Sequence, residues 1–214
     1  EAGTGTGKTL AYLVPAVLSG KKVIVSTATR NLQDQIFFKD IPLLRDEVGL
    51  PFDAALLKGR ANYLCAWRFE AFERAPLFAS PDDATHFAAL RAWAVQTQAG
   101  DRAESALPDD WPSWSALSTH ADNCLGGRCP LYEGCFVTRA RRLAEASQLV
   151  VVNHALFFAD LSLRVRGSEE GLRVLPRYDA VIFDEAHALE DVATEHFGVA
   201  VGSGALLQLG SDAV

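Results

Sequence analysis

Uninterrupted apolar runs are short in this 214-residue chain. None approaches the ~20 residues that cross a bilayer, which excludes a membrane-spanning helix. A secretory signal pattern is missing, as are internal repeats and long low-complexity tracts. Positive charge is scarce: 20 Lys and Arg stand against 27 Asp and Glu, a net charge of −7. An acidic total excludes polyanion binding by the whole surface, but a few well-placed Arg or Lys still make a local phosphate track. Cysteine is limited to four residues, and none forms the C-x₂-C knuckle common in structural zinc sites. Four thiols in a chain of cytoplasmic type point to metal ligation before disulfides. Cytoplasmic location is the default expectation here. What is abundant is core-forming material, with 49% apolar and 22% charged residues. That balance suits one large domain, or one domain carrying an insertion.

The chain is organised around Ala2-Gly3-Thr4-Gly5-Thr6-Gly7-Lys8-Thr9, which reads [AG]-x-x-x-x-G-K-[ST], a phosphate-binding P-loop. A triphosphate needs several backbone N–H groups aimed at its oxygens, and small residues let the main chain curl close to it. Lys8 brings a point charge to the β- and γ-phosphates, and the Thr9 hydroxyl is placed to ligate Mg²⁺. A helix starting near Gly7 turns its positive end to the same phosphates. The competing reading is a flexible Gly/Thr loop. Because Glu1 stands directly before the loop, the strand that should feed it is expected upstream, in a longer protein.

Thr9 to Leu18 has one apolar face, with Pro15 as an interior defect and Gly20 as a terminator. Val23-Ile24-Val25 is a β-branched run suited to a buried parallel strand, opening onto the polar loop Ser26 to Asn31. In open α/β sheets that edge binds ligands. A helix follows to about Asp40, and Ala54 to Leu57 reads as a second strand. Residues 59–146 break the pattern and read as a mainly helical insertion, loop-like over 99–122, with a helix over 136–146. The sheet resumes at Leu149-Val150-Val151-Val152 and runs on through Asn153 to Phe158; 167–171 is expected to be a surface loop. The fold class expected is α/β: a P-loop, RecA-like parallel sheet flanked by helices, interrupted by that insertion.

Tyr178 to Phe183 ends in Asp184 and Glu185. A carboxylate must hold the Mg²⁺ that bridges the phosphates, and a neighbour must orient or deprotonate the attacking water. Asp184 suits the metal and Glu185 the water; alone, the pair also reads as two solvated acids at a helix N-terminus. The cysteines run Cys65, a long gap, then Cys124-x₄-Cys129-x₅-Cys135. Irregularly spaced thiolates in a helical insertion fit an iron–sulfur cluster better than zinc, with zinc and unconnected thiols left as alternatives.

Asp184-Glu185-Ala186-His187 spells DEAH, and the chain resembles the DEAH-box superfamily 2 helicases at this point. Adding Gly59-Arg60-Ala61-Asn62-Tyr63-Leu64-Cys65, Ser26 to Gln35 and Val152 to Leu156, it resembles the DinG/XPD-type iron–sulfur helicases, nearest the bacterial DinG type. The resemblance covers nearly the whole chain, least securely over 80–120 and beyond 195. It implies an ATP-dependent, Mg²⁺-dependent DNA helicase moving 5′→3′ on single-stranded DNA and opening forked or displaced-strand DNA. It implies a monomeric motor with no membrane partner, and a role in repair or replication. A 4Fe–4S cluster on Cys65, Cys124, Cys129 and Cys135 is implied, and a linking role for His187 between nucleotide and DNA motifs. Residues 1–58 become the first part of motor domain 1, 59–146 the cluster domain and 147–190 the motor domain continued, with 191–214 starting a helical arch. Thr27, Thr29, Arg30 and Asn31 become candidate DNA-backbone contacts, against the alternative of an ordinary Ser/Thr helix cap. Arg139, Arg141 and Arg142 read as a solvated face or a DNA track, and Tyr63 as core. A second motor domain with arginine fingers is expected past Val214. Two rival functions are a P-loop ATPase switch or remodeller that opens no duplex, and a zinc-stabilised nucleic-acid-binding module.

Overall fold

In the computed structural model the residues described are 7–78, 80–166 and 173–198. Four parallel strands form one sheet in the order β2-β3-β1-β4: β1 Val23–Thr27, β2 Ala54–Leu56, β3 Leu149–Asn153 and β4 Ala180–Phe183. Val25 of β1 pairs with Val151 on one side and Ile182 on the other. Every residue of β1 is buried, as expected of a strand covered on both faces. Alternation sends Val23, Val25, Leu149 and Val151 to one face, where Leu13, Ala16 and Val17 of helix α1 (Lys8–Leu18) meet them. Ile24, Val150 and Val152 point the other way, onto Ala144 of α6 (Phe136–Ala146) and Leu156 and Phe157 of α7 (His154–Arg166). The result is a three-layer α/β motor-type core with its strand ends at one edge, as the sequence led us to expect.

Three local details depart from the sequence reading. Helix α1 continues past Pro15 to Leu18; Pro15 and Ala11, whose carbonyl loses its N–H partner, both lie on the exposed side. The apolar run after Val152 is not strand. Asn153 Oδ1 accepts the Leu156 N–H at 2.9 Å, and this cap turns the chain into α7 from His154 onward. The stretch 99–122 is more ordered than a loop: Trp114–Leu117 forms the short helix α5, and Trp111 and Trp114 are buried. Helix α2 (Arg30–Gln35) continues as wider turns over Ile36–Asp40 and Leu43–Glu47.

The excursion after β2 holds α3 (Ala66–Arg74), α4 (Pro81–Ala94) and α5 around its own core of Leu64, Phe87, Leu90, Trp111, Trp114 and Leu117. Trp111 Nε1 donates to Asp83 Oδ1 at 2.7 Å and Trp114 Nε1 to the Ala61 carbonyl at 2.8 Å, so neither indole is buried with an orphaned N–H. Phe136 of α6 packs on this second core while Ala144 of the same helix packs on the sheet. After β4 the chain forms α8 (Leu189–Phe197), packed on α7. The expected surface loop at 167–171 and most of the expected arch, 199–214, lie outside the described residues. Among the described residues no helix is long and apolar enough to cross a membrane.

Candidate nucleotide site and cysteine pocket

Gly7 caps α1 with φ 76, a left-handed conformation that glycine adopts without cost. The helix begins at Lys8, with Lys8 and Thr9 in its first turn. Residues 2–6 of the loop lie outside the described residues. Lys8 Nζ sits 3.4 Å from Glu185 Oε1, joining positions 177 apart in the chain. Asp184 and Glu185 follow directly on β4, and the Asp184 N–H donates to the Ser26 carbonyl at 2.8 Å, so the acidic pair is pinned to the end of β1. Glu185 has φ 55 and ψ 48, the one non-glycine positive φ among the described residues. That conformation is strained for a residue with a Cβ, and strain of this kind gathers at functional sites. His187 is 78% exposed, with Nδ1 3.4 Å from Glu185 Oε2.

Two further groups face this site. Tyr12, one turn after Lys8, has its hydroxyl buried between Thr9 and Asp184; burial and the Asp184 charge push its pKa well above the usual value. Burial also raises the Asp40 carboxyl, with Lys39 opposing and Asp184 adding. Behind the acidic pair, His154 is fully buried, and its Nδ1 lies 2.7 Å from Ser26 Oγ. Burial lowers its pKa, so the ring is held neutral, and one hydrogen bond joins the start of α7 to the ligand edge of β1.

The four residues expected at DNA do not share one environment. Thr27 is fully buried, its hydroxyl without a partner among the described residues, so in this conformation it presents nothing to a phosphate. Thr29 caps α2, its Oγ1 accepting the Leu32 N–H at 3.2 Å. Arg30 donates from Nη1 to Asn62 Oδ1 at 3.1 Å, and Asn31 is exposed. The capping alternative therefore describes Thr29, while Arg30 and Asn31 remain at the surface. Tyr63 is core, its hydroxyl accepting the Lys58 N–H at 3.0 Å.

Cys65, Cys124, Cys129 and Cys135 line one cavity of about 280 Å³, with Arg60, Tyr132 and Arg141 around it. All four are free thiols and half-buried. Burial pushes the Cys65 thiol up, Cys135 and Cys124 add to this, and the backbone N–H groups of Arg68 and Trp67 oppose it. Among the described residues no three His, Cys, Asp or Glu side chains are arranged to hold a metal ion. Of the three arginines after the last cysteine, Arg141 turns inward to the cavity, where burial and Arg60 lower its pKa, while Arg142 is exposed and paired with Glu133 at 2.7 Å.

The family model for DEAD/DEAH box helicases matches residues 1–59. The chain is 43% identical over 213 residues to the ATP-dependent DNA helicase YoaA of Haemophilus influenzae, covering 99% of this chain and 33% of that protein. It is 39% identical over 219 residues to the ATP-dependent helicase DinG of Mycobacterium tuberculosis, covering 91% of this chain and 32% of that one. The 3'-5' exonuclease DinG of Bacillus subtilis is 38% identical over 207 residues, 92% of this chain and 21% of that protein. The chain is therefore similar to DEAD/DEAH box helicases over residues 1–59, and to proteins named ATP-dependent helicases over nearly all of its length. It spans about a third of the length of the relatives first named.

Within that helicase frame, sequence reasoning found the lysine and the acidic pair that the fold brings together, and the four cysteines that share a cavity. It missed Tyr12, Asp40 and His154. Tyr12 was findable, since position i+4 from Lys8 lies on the same helical face. His154 carried no such signal, because its partner Ser26 is 128 positions away.

Proposed function

We propose that the protein is an ATP-dependent DNA helicase whose first motor domain lies in this chain. The observation that carries the reading is the approach of Lys8 Nζ to Glu185 Oε1 at one edge of a parallel sheet, which supports a phosphate-binding role for the lysine beside the acidic pair. Lys8 would leave Glu185 for the β- and γ-phosphate oxygens, freeing the carboxylate to orient the attacking water. Thr9 and Asp184 are the candidate Mg²⁺ ligands, and Ala2, Gly3, Thr4, Gly5, Thr6 and Gly7 the phosphate cradle. The relatives' names support DNA as the partner. Single-stranded and forked DNA as substrates, 5′→3′ direction, a monomeric and cytoplasmic motor, and DNA contacts from Arg30 and Asn31 belong to the same proposal, as do the domain limits given above.

We also read the cysteine cavity as the site of a 4Fe–4S cluster. What supports this reading is that all four cysteines, 70 positions apart at the extremes, line one cavity. Such a cluster, when bound, supplies a compact covalent crosslink between the two ends of residues 59–146. The Arg68 and Trp67 N–H groups would then stabilise the Cys65 thiolate.

The decisive experiment is ATPase of the full-length protein with single-stranded DNA, duplex DNA and no nucleic acid. DNA-stimulated turnover is expected, abolished by Lys8→Ala. Glu185→Gln should keep nucleotide binding and stop hydrolysis. DNA-independent turnover, or unwinding retained by Lys8→Ala, would overturn the assignment.

A further inference from the structure

Lys58 stands where the chain leaves the sheet, two residues after β2. Its side chain is 2% exposed, yet it carries a full charge on a flexible stem. Two carboxylates meet it. Asp34 Oδ1 lies 2.8 Å from Nζ, and Asp101 Oδ2 lies 2.7 Å away. Asp34 belongs to α2, one turn after Arg30 and on the helix that starts at the ligand edge. Asp101 belongs to the excursion and forms a backbone bridge with Tyr63. The same joint holds the Tyr63 hydroxyl on the Lys58 N–H, the Leu64 N–H on the Gly100 carbonyl at 2.9 Å, and Arg30 on Asn62.

A buried ammonium tolerates little displacement from its carboxylates, since breaking a close ion pair out of water is costly. Two anions from separate parts of the chain therefore move with Lys58 as one unit. We infer that Lys58, clamped between Asp34 and Asp101, is a positioning residue that couples the 59–146 excursion to α2. A force on the excursion then reaches the start of α2, where Arg30 and Asn31 are presented, without passing through the nucleotide site. The coupling rests on the helicase reading, because it is expressed as duplex opened per ATP spent.

The test uses full-length enzyme carrying Lys58→Met, Lys58→Arg or Asp101→Asn, with folding checked by thermal melting. Base pairs opened per ATP hydrolysed are measured on a forked duplex beside DNA-stimulated ATPase. For Lys58→Met and Asp101→Asn, ATPase should stay within about twofold while duplex opened per ATP falls roughly tenfold. Lys58→Arg should retain most of the coupling. Should Lys58→Met not fold, Asp101→Asn decides alone, since it leaves the cation paired with Asp34. An unchanged ratio in folded variants overturns the inference, and so does a parallel fall of ATPase and unwinding, the mark of a merely structural lysine. A wild-type enzyme that hydrolyses ATP on DNA but opens no duplex overturns the helicase reading first, and the coupling with it.

Discussion

Single residues decide the chemistry at the sheet edge, and Glu185 is the most constrained of them. Its side chain meets Lys8 and His187 while its backbone sits in the left-handed region. A β-branched residue pays more for that conformation than glycine, which has no Cβ to clash. Glu185→Val should therefore be less stable than Glu185→Gly by about 1 kcal/mol, while the proposed role of Glu185 predicts loss of hydrolysis in both. Chemical denaturation of the two variants checks this, and equal midpoints would show that no backbone strain is held there. Lys8 and the acidic pair were legible from spacing alone, because phosphate and magnesium chemistry demands those residue types in those local patterns. His154 was not, since what makes it part of the site is its contact with Ser26, 128 positions away; spacing put Tyr12 on the face of Lys8, and only burial beside Asp184 gave it a place in the site.

At the scale of elements, caps and close approaches set where helices begin and how tightly they seat. Thr29 caps α2 by accepting the Leu32 N–H. Thr29→Ala should cost about 1 kcal/mol and Thr29→Ser close to nothing, read from thermal melts. Loss of DNA affinity in Thr29→Ala without loss of stability would instead mark the hydroxyl as a direct contact. Gly100 is a sharper case. Its φ is +65, and a Cβ there would stand 2.3 Å from Cγ of Phe136, the residue after Cys135. Gly100→Ala should destabilise by about 2–4 kcal/mol, from overpacking plus a strained backbone. Because Phe136 must shift, the proposed cluster beside it predicts that iron retained on purification falls as well. An alanine variant with wild-type melting and iron content would mean that the approach of these two segments is looser than described. The strand misjudged after Val152 has a local cause. Val152 onward looks like strand by composition, but the Asn153 side chain captures the Leu156 N–H and starts a helix.

Across the molecule, two cores carry separate duties. Sheet side chains pack with α1, α6 and α7, whereas Leu64, Phe87, Leu90, Trp111, Trp114 and Leu117 form a core of their own. The cysteines border the second core, so damage there should leave the first intact. On the proposed cluster reading, the wild-type protein should carry iron and Cys129→Ser should lower it while nucleotide binding at Lys8 survives, measured by iron assay and fluorescent-nucleotide titration. Loss of nucleotide binding in step with iron would show one cooperative unit; zinc in place of iron in the wild-type protein would overturn the cluster reading. The sequence by itself determined the parallel α/β core, the P-loop and DEAH ends of the nucleotide site and the thiol set, because these rest on short-range pattern: apolar period, local spacing and residue chemistry. Only the tertiary structure decided that Lys8 reaches Glu185, that Thr27 is fully buried, and that Lys58 holds Asp34 and Asp101 together. Those outcomes depend on which distant segments pack against each other, and burial and charge pairing exist only once the chain has closed on itself.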